Sequence, residues 1–554
     1  MNTKVLTMMT AAEAIVKCIK REGIDKVFCV PGESYLPLLD ALYDEETVDV
    51  VSARHEGGAA FMAEGYAKSS LKPGVVLATR GVGAANLSIG VHTAYQDSTP
   101  MVVFLGQVHS KFRGREGFQE VDLDQFFKPI TKWAVEVKDA ERMPELVGRA
   151  FRIARSGRPG PVVVSLPEDV LPVEAEMYFG PEITIPKPAP SNEEVLKVEK
   201  ILEQAKQPLI IAGGGVKLAQ AEEKLIAFAE QLQIPVMAAF RRHDVFPNRH
   251  YLYAGHLGLG TPKPILETVK EADVILALGT RLSEVTTQDY TLLTNDQTLI
   301  HVDIESEVIG KVYPPDLAII ADMDKALDAF AEIKLHGSWP QWAETGHLRY
   351  ESTSRLVVSE DDVINKQIIK AMVDMLPTSA LLTNDAGNFA GWLHAFYPFI
   401  EKHTYVGPTS GAMGYGLPAA IGAKLGSPDK TVVSLSGDGG FMMTVQELET
   451  AVRENIPVIA LVFNNNSYGT IRMHQEIHYP RRVVGTDLGE VSFAAIANAV
   501  GAQGITVQSI GEFKNAFSQA LKVGLPTVIE ILTDVEQISV STTISSLRGQ
   551  SPKL

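Results

Sequence analysis

Cysteine is almost missing from this chain: its 554 residues include two, Cys18 and Cys29. Two cysteines build no disulfide framework, and their scarcity points to a reducing, cytoplasmic compartment. Basic residues are in deficit too, 50 Lys and Arg against 67 Asp and Glu, for a formal charge of −17. Such a surface repels phosphate backbones and anionic lipids within a Debye length, so no nucleic-acid or membrane partner is expected. No apolar run approaches the ~20 residues of a membrane span. The N-terminal stretch MNTKVLTMMTAAEAIVKCIKREGI has neither the apolar block nor the cleavage site of a signal peptide. It reads as an amphipathic helix capped by Thr10. Small anionic ligands remain open, because local Arg, Lys and helix N-termini decide their binding.

What is present is a globular composition, 45% hydrophobic and 21% charged, on a chain long enough for two to four domains. Apolar runs at Lys26–Val30, Val48–Ala53, Gly74–Ala78, Met101–Gly106 and Val162–Leu166 alternate with helical patterns. That rhythm predicts an open parallel sheet covered on both faces. Leu171–Ser191 holds five prolines and reads as a linker. A second α/β unit follows, with Pro208–Ala212 running into Gly213-Gly214-Gly215 and Val274–Leu278 into Gly279. The polar stretch His336–Asp362 reads as a second linker, and the third unit starts near Val363. The expected fold is therefore α/β, three doubly wound domains with mostly parallel sheets, over residues 1–185, 190–335 and 363–554.

Chemistry concentrates in residues 431–475. The run Thr431–Leu435 breaks at Ser436-Gly437-Asp438-Gly439-Gly440, a helical stretch follows, and Val458–Phe463 ends in Asn464-Asn465-Asn466-Ser467. Strand, acidic glycine turn, helix and strand make a βαβ unit, whose ligands gather at the strands' carboxyl ends. Asp438 and Asn465, 27 positions apart, then leave the ends of neighbouring or nearly neighbouring strands. A carboxylate, an amide oxygen and a loop carbonyl suit a hard octahedral cation such as Mg²⁺. An ordinary turn with an acidic cap is the competing reading of the GDG alone.

The stretch resembles the GDG…NN signature of thiamine diphosphate-dependent enzymes. That resemblance names the three domains aminopyrimidine-binding, central and diphosphate-binding. It implies that Asp438, Asn465 and the Ser467 carbonyl hold Mg²⁺ against the cofactor's diphosphate, with Gly437, Gly439, Gly440, Tyr468 and Gly469 around it. It places Pro31 at the cofactor as well, and gives Glu56, in Arg54-His55-Glu56-Gly57-Gly58, a hydrogen bond to the aminopyrimidine. In Gly411-Ala412-Met413-Gly414 it implies that the Gly411 carbonyl accepts from the 4′-amino group and that Met413 supports the bent cofactor. The glutamate and the metal site come from different subunits in this family, which implies a homodimer or homotetramer.

Within the family the chain is most similar to acetolactate synthase large subunits, over nearly its whole length. Gly117-Phe118-Gln119-Glu120, Ile130-Thr131-Lys132 and Phe441-Met442-Met443 support this. The likeness implies that Phe118 and Gln119 sit beside a 2-oxo acid substrate and that Arg158 lies near an FAD with no part in the net reaction. Gly213–Gly215, Gly279–Arg281 and Asp303–Glu305 are candidate flavin-facing turns, or ordinary strand-end turns. Three positions depart from the pattern: Val285 replaces an arginine that grips the second substrate, His474 a tryptophan, and Glu168 a lysine. His474 is a candidate proton donor or substrate-orienting group, set against a surface histidine. The expected activity is carboligation, with pyruvate decarboxylated and its two-carbon unit joined to a second carbonyl compound. The alternatives are a 2-oxo acid decarboxylase or lyase without that acceptor site, and a catalytically idle regulatory or flavin-binding paralogue.

Overall fold

The alternating apolar runs fold into three six-stranded sheets, each parallel throughout. The computed structural model describes residues 6–182 and 184–550, so the outermost residues of the first and third units as drawn from the sequence lie outside the described residues. Strand β1 (Leu6–Thr10) runs into the helix Ala11–Arg21, where the Thr10 cap expected of this sequence is joined by Glu13 in a capping box. The first sheet comprises β2 (Lys26–Cys29), β3 (Asp49–Ser52), β4 (Gly74–Ala78), β5 (Met101–Gln107), β6 (Trp133–Glu136) and β7 (Pro161–Pro167). Its order is β3-β2-β4-β5-β7-β6. β8 (Glu174–Tyr178) then pairs antiparallel with β1, so the proline-rich stretch opens as a strand.

The central sheet contains β9 (Pro208–Ala212), β10 (Val236–Ala238), β11 (Tyr253–His256), β12 (Val274–Leu278), β13 (Thr298–Asp303) and β14 (Leu317–Ile320), ordered β11-β10-β9-β12-β13-β14. The third contains β15 (Leu381–Asn384), β16 (Tyr405–Val406), β17 (Val432–Gly437), β18 (Ile459–Asn464), β19 (Gln503–Val507) and β20 (Thr527–Leu532), ordered β16-β15-β17-β18-β20-β19. In each sheet the chain winds outward in both directions from a central switch point, between β2 and β4, β9 and β12, and β15 and β17. Strands β4, β5, β7, β9 and β12 are buried along their whole length, as strands covered on both faces must be.

The polar stretch read as a second linker contains the helix Pro340–Ser354. Trp342 is buried and donates from Nε1 to the Pro208 carbonyl at 2.9 Å, returning this segment to the central sheet. Its apolar signal is two tryptophans in a charged sequence, too sparse to read as a helical face.

The first and third units meet along the helices Glu56–Ser70 and Gly416–Gly426. Their backbones touch: a methyl on Gly65 would strike the Ala419 backbone, and one on Gly422 the Met62 carbonyl. Phe61 and Tyr415 close the seam edge to face, with ring centroids 5.3 Å apart. The central and third units share an imidazole cluster around buried His243, which lies 4.3 Å from half-buried His256 and 4.6 Å from half-buried His394 between ring centroids. Burial pushes the His256 imidazole down to about 4 and His243 well below its ordinary value.

Two outcomes follow. Gly422→Ala forces the helices apart and costs about 1–3 kcal/mol, read as a lower thermal midpoint. Gly148→Ala, where a methyl meets open space, leaves the midpoint unchanged or raises it. The clustered imidazoles stay neutral in the fold but bind protons once unfolded, below the ordinary value of about 6.5. Stability therefore drops as pH falls from about 6.5 to about 4. Thermal melting across that range checks this, and His256→Gln should flatten the slope.

Candidate active site

Open α/β sheets bind ligands at the switch point of the strand order, because the loops after the two flanking strands diverge and leave a crevice. In the third sheet that crevice lies between the ends of β15 and β17, which deliver Asp385 and Asp438, and β18 beside them delivers Asn465. Asp438 is buried at the start of the helix Asp438–Met443. Its Oδ1 accepts from the Gly439 N–H at 2.8 Å and its Oδ2 from the Ser467 N–H at 3.2 Å. The Ser467 N–H also donates to Asn465 Oδ1, at 3.1 Å. The structure thus brings Asp438, Asn465 and Ser467 into one cluster.

Burial raises the Asp438 carboxyl above its ordinary value, and backbone N–H groups from Gly439 and from Asn465 to Ser467 partly offset that. The hydrogen bonds to this buried carboxylate all come from backbone N–H groups, so a cation would supply the missing countercharge. The crowding also explains the glycines. A methyl on Gly439 would lie 2.5 Å from the Tyr468 ring, and one on Gly440 2.5 Å from Asp385 Oδ2. Asp385 is fully buried, and burial pushes it up to about 6. Gly437, at the helix start, brings no side-chain cap to the first N–H groups. The loop Gly411–Gly414 reaches the same place, with Thr444 Oγ1 donating to the Gly414 carbonyl at 2.8 Å. Gly411 is exposed in the left-handed region, Met413 is half-buried, and Gly469 follows Tyr468 into the next helix.

In the first sheet the crevice lies between β2, which leads to exposed Pro31, and β4, which leads to Arg80. Glu56 opens the helix Glu56–Ser70 and is 9% exposed. Its Oε2 accepts from Asn86 Nδ2 at 3.0 Å, and His55 caps the helix through Nδ1. Gln119 sits against this crevice, its carbonyl accepting from the Gly81 N–H at 3.1 Å, while Phe118 is 72% exposed. Within the single chain, no hydrogen bond among the described residues joins Glu56 to the Asp438 cluster. His474 is exposed on the helix Gly469–His478, its ring stacked over His478, so it does not meet the other candidate residues.

Arg80 and Asp385 escaped the sequence reading. Arg80 is buried, donates to Glu33 at 3.0 Å and Glu168 at 2.5 Å, and leaves its Nε–H without a partner. The one signal for it was an arginine inside the glycine turn Thr79-Arg80-Gly81.

The central crevice opens into two adjoining cavities of about 340 and 350 Å³ that share Gly214, Gly215, Gly279, Asp303 and Arg242. Arg158, Arg281 and Arg242 donate there to the carbonyls of Tyr95 (2.8 Å), Gln96 (2.6 Å) and Asp97 (3.3 Å). Burial, with Arg158 and Arg242 nearby, pushes Arg281 down to about 10. Burial raises the Asp303 carboxyl. Val285 lines the outer part of the cavity. No helix among the described residues is long and apolar enough to cross a membrane.

Comparison with known proteins agrees with this architecture. The thiamine pyrophosphate enzyme N-terminal TPP binding domain matches residues 9–126, the central domain 195–330, and the C-terminal TPP binding domain 385–531. A probable acetolactate synthase large subunit of Methanocaldococcus jannaschii is 34% identical over 547 residues, covering 95% of this chain and 92% of its own. The acetolactate synthase isozyme 3 large subunit of Escherichia coli is 32% identical, covering 93% of each chain. The acetolactate synthase large subunit of Lactococcus lactis is 33% identical, covering 89% of this chain and 87% of its own. The chain belongs to the thiamine pyrophosphate enzyme family and is an acetolactate synthase-like enzyme within it.

Proposed function

We propose that the protein is a thiamine diphosphate- and Mg²⁺-dependent carboligase that decarboxylates pyruvate and joins the two-carbon unit to a second carbonyl compound. The observation that carries this is the cluster of Asp438, Asn465 and Ser467 at the third crevice, where a buried carboxylate has backbone N–H partners and no cationic side chain among them. Asp438 Oδ, Asn465 Oδ1 and the Ser467 carbonyl would hold Mg²⁺, an oxygen donor set this ion prefers. The Gly440 N–H, and that of Gly439 on leaving Asp438 Oδ1, would receive the diphosphate. Tyr468 and Gly469 continue that wall, and Pro31 lines the aminopyrimidine side. Glu56 would hydrogen-bond the aminopyrimidine ring, the Gly411 carbonyl would accept from its amino group, and Met413 would pack beneath the bend. When bound, thiamine diphosphate supplies a nucleophilic carbon and takes up the electron pair left as CO₂ departs.

Glu56 and the Asp438 cluster belong to different crevices, which supports a site shared by two copies of the chain, in a homodimer or homotetramer. Phe118 and Gln119 then face the substrate, and His474 orients it or donates a proton. The glycine turns, arginines and buried Asp303 around the central cavities support FAD there. Two free, buried cysteines support a cytoplasmic home.

One observation favours a second reading, a decarboxylase or lyase without a second 2-oxo acid. The buried guanidinium of Arg80 is already engaged by Glu33 and Glu168, so it is not free to grip a second carboxylate.

Incubation with pyruvate, thiamine diphosphate and Mg²⁺ separates the two. Acetolactate supports carboligation, and acetaldehyde alone supports decarboxylation. Glu56→Gln should lower kcat by about 10²–10⁴-fold, the span of general acid–base catalysis; a fully active variant removes the proposed role. Purified protein should be yellow with flavin absorbance, and a colourless preparation rules out tightly bound FAD.

A further inference from the structure

The turn that presents Glu56 is held from outside its own domain. Glu447, fully buried at the start of the helix Glu447–Arg453, accepts from the His55 N–H at 3.0 Å through Oε1. Its Oε2 accepts from the Arg54 N–H at 3.2 Å and from Thr450 Oγ1 at 2.7 Å. His55 immediately precedes Glu56, so this carboxylate holds the two peptide units that lead into it. The fit is close: a methyl on Gly58 would stand 2.7 Å from the Glu447 carboxyl carbon. The same short helix grips the turn twice more, through Arg453 to the Ser52 carbonyl and through Glu449, 3.8 Å from the Arg54 side chain.

The grip also runs toward the other half of the site. The Glu447 N–H donates to the Thr444 carbonyl at 3.0 Å, and Thr444 Oγ1 donates to the Gly414 carbonyl. Thr444 follows directly after the helix that starts at Asp438. A continuous run of hydrogen bonds therefore connects the Gly411–Gly414 loop, the end of the Asp438 helix and the Glu56 turn.

A purely structural strut between domains would need no particular chemistry at position 447. Two parallel backbone N–H groups and a hydroxyl aimed at one point do need it: a carboxylate has four lone-pair sites and no proton to oppose them. Glutamine offers one oxygen and turns an NH₂ against an N–H. We infer that Glu447 is the positioning residue for Glu56, setting the direction of the catalytic carboxylate from the diphosphate-binding domain of the same chain. The inference rests on the role proposed above for Glu56.

The test uses the full-length protein with thiamine diphosphate and Mg²⁺, comparing Glu447→Gln with the parent and with Glu56→Gln. Displacing a catalytic group by about an ångström costs about 10²-fold in rate, so kcat in Glu447→Gln should fall by about that factor while KM for pyruvate stays within about twofold. The near-ultraviolet circular dichroism of the bound aminopyrimidine should change, because its tautomer balance depends on where the Glu56 carboxyl points. A folded Glu447→Gln protein with parental kcat and dichroism, and merely a lower melting temperature, would overturn the inference. If Glu447→Gln does not fold, Thr450→Val removes one of the three donors and leaves the charge. A smaller loss of kcat with the same spectral change then supports the inference, and parental values overturn it. Full activity in Glu56→Gln would instead bring down the underlying reading, so the two failures are distinguishable.

Discussion

One buried carboxylate, Asp97, pins all three domains together. It accepts from Lys68 of the first domain at 2.6 Å and from the Thr409 N–H and hydroxyl of the third, and Arg242 of the central domain lies 3.8 Å away. Lys68 also reaches Glu64, 2.6 Å away, which in turn takes the hydroxyls of Thr99 and Tyr415. Burial alone would push Asp97 up, but Lys68, Arg242 and the Thr409 hydroxyl outweigh it and hold the carboxyl below its ordinary value. Taking away one partner of such a pair strands a buried charge, at a cost of about 3–5 kcal/mol. Asp97 also ends the helix Gly81–Asp97, whose last carbonyls receive Arg158, Arg281 and Arg242. Positive charge collects at the negative end of the helix dipole, so the contacts that dock the domains also line the central cavities.

With the domains docked, one topology serves three different ends. Each sheet has a central switch point in its strand order, and each opens a crevice there at the carboxyl ends of its strands. The first crevice offers carboxylates around one guanidinium, the second bare glycine backbone beside arginines, and the third a set of oxygen donors. The glycines of the second and third follow from close approach more than from turn geometry. Gly215 and Gly279 lie backbone to backbone, a methyl on either reaching 2.7 Å from the other's Cα. The same holds at the helix seam, where Gly65 and Gly422 admit main chain in place of side chain.

How much of this was legible in the sequence depends on how local each feature is. Asp438 and Asn465 could be read because one βαβ unit carries both, and β17 and β18 are indeed adjacent. The alternation of apolar runs and helices was enough for three parallel α/β sheets. Glu56 looked like any acidic first-turn residue until the second motif gave it meaning. Glu447 was invisible: it sits in an ordinary amphipathic stretch, and its partner His55 lies 392 residues away. Trp342 hid a helix in what read as a linker, because its contact with Pro208 spans 134 residues. Arg80 was overlooked for the same reason, its two carboxylates coming from the turns after β2 and β7.

The rims of the first and third crevices carry exposed apolar side chains. Val82 and Phe118 on one, Met442, Ile471 and Tyr479 on the other, are each at least half exposed. Exposed apolar side chains gathered beside a crevice are what an interaction surface presents, in keeping with the two-copy site proposed above. Beside the first of these rims one buried guanidinium, Arg80, faces two carboxylates, Glu33 and Glu168. With both of its terminal nitrogens taken by Glu33 and Glu168, Arg80 has no bidentate fork left to grip an entering carboxylate, that of pyruvate included.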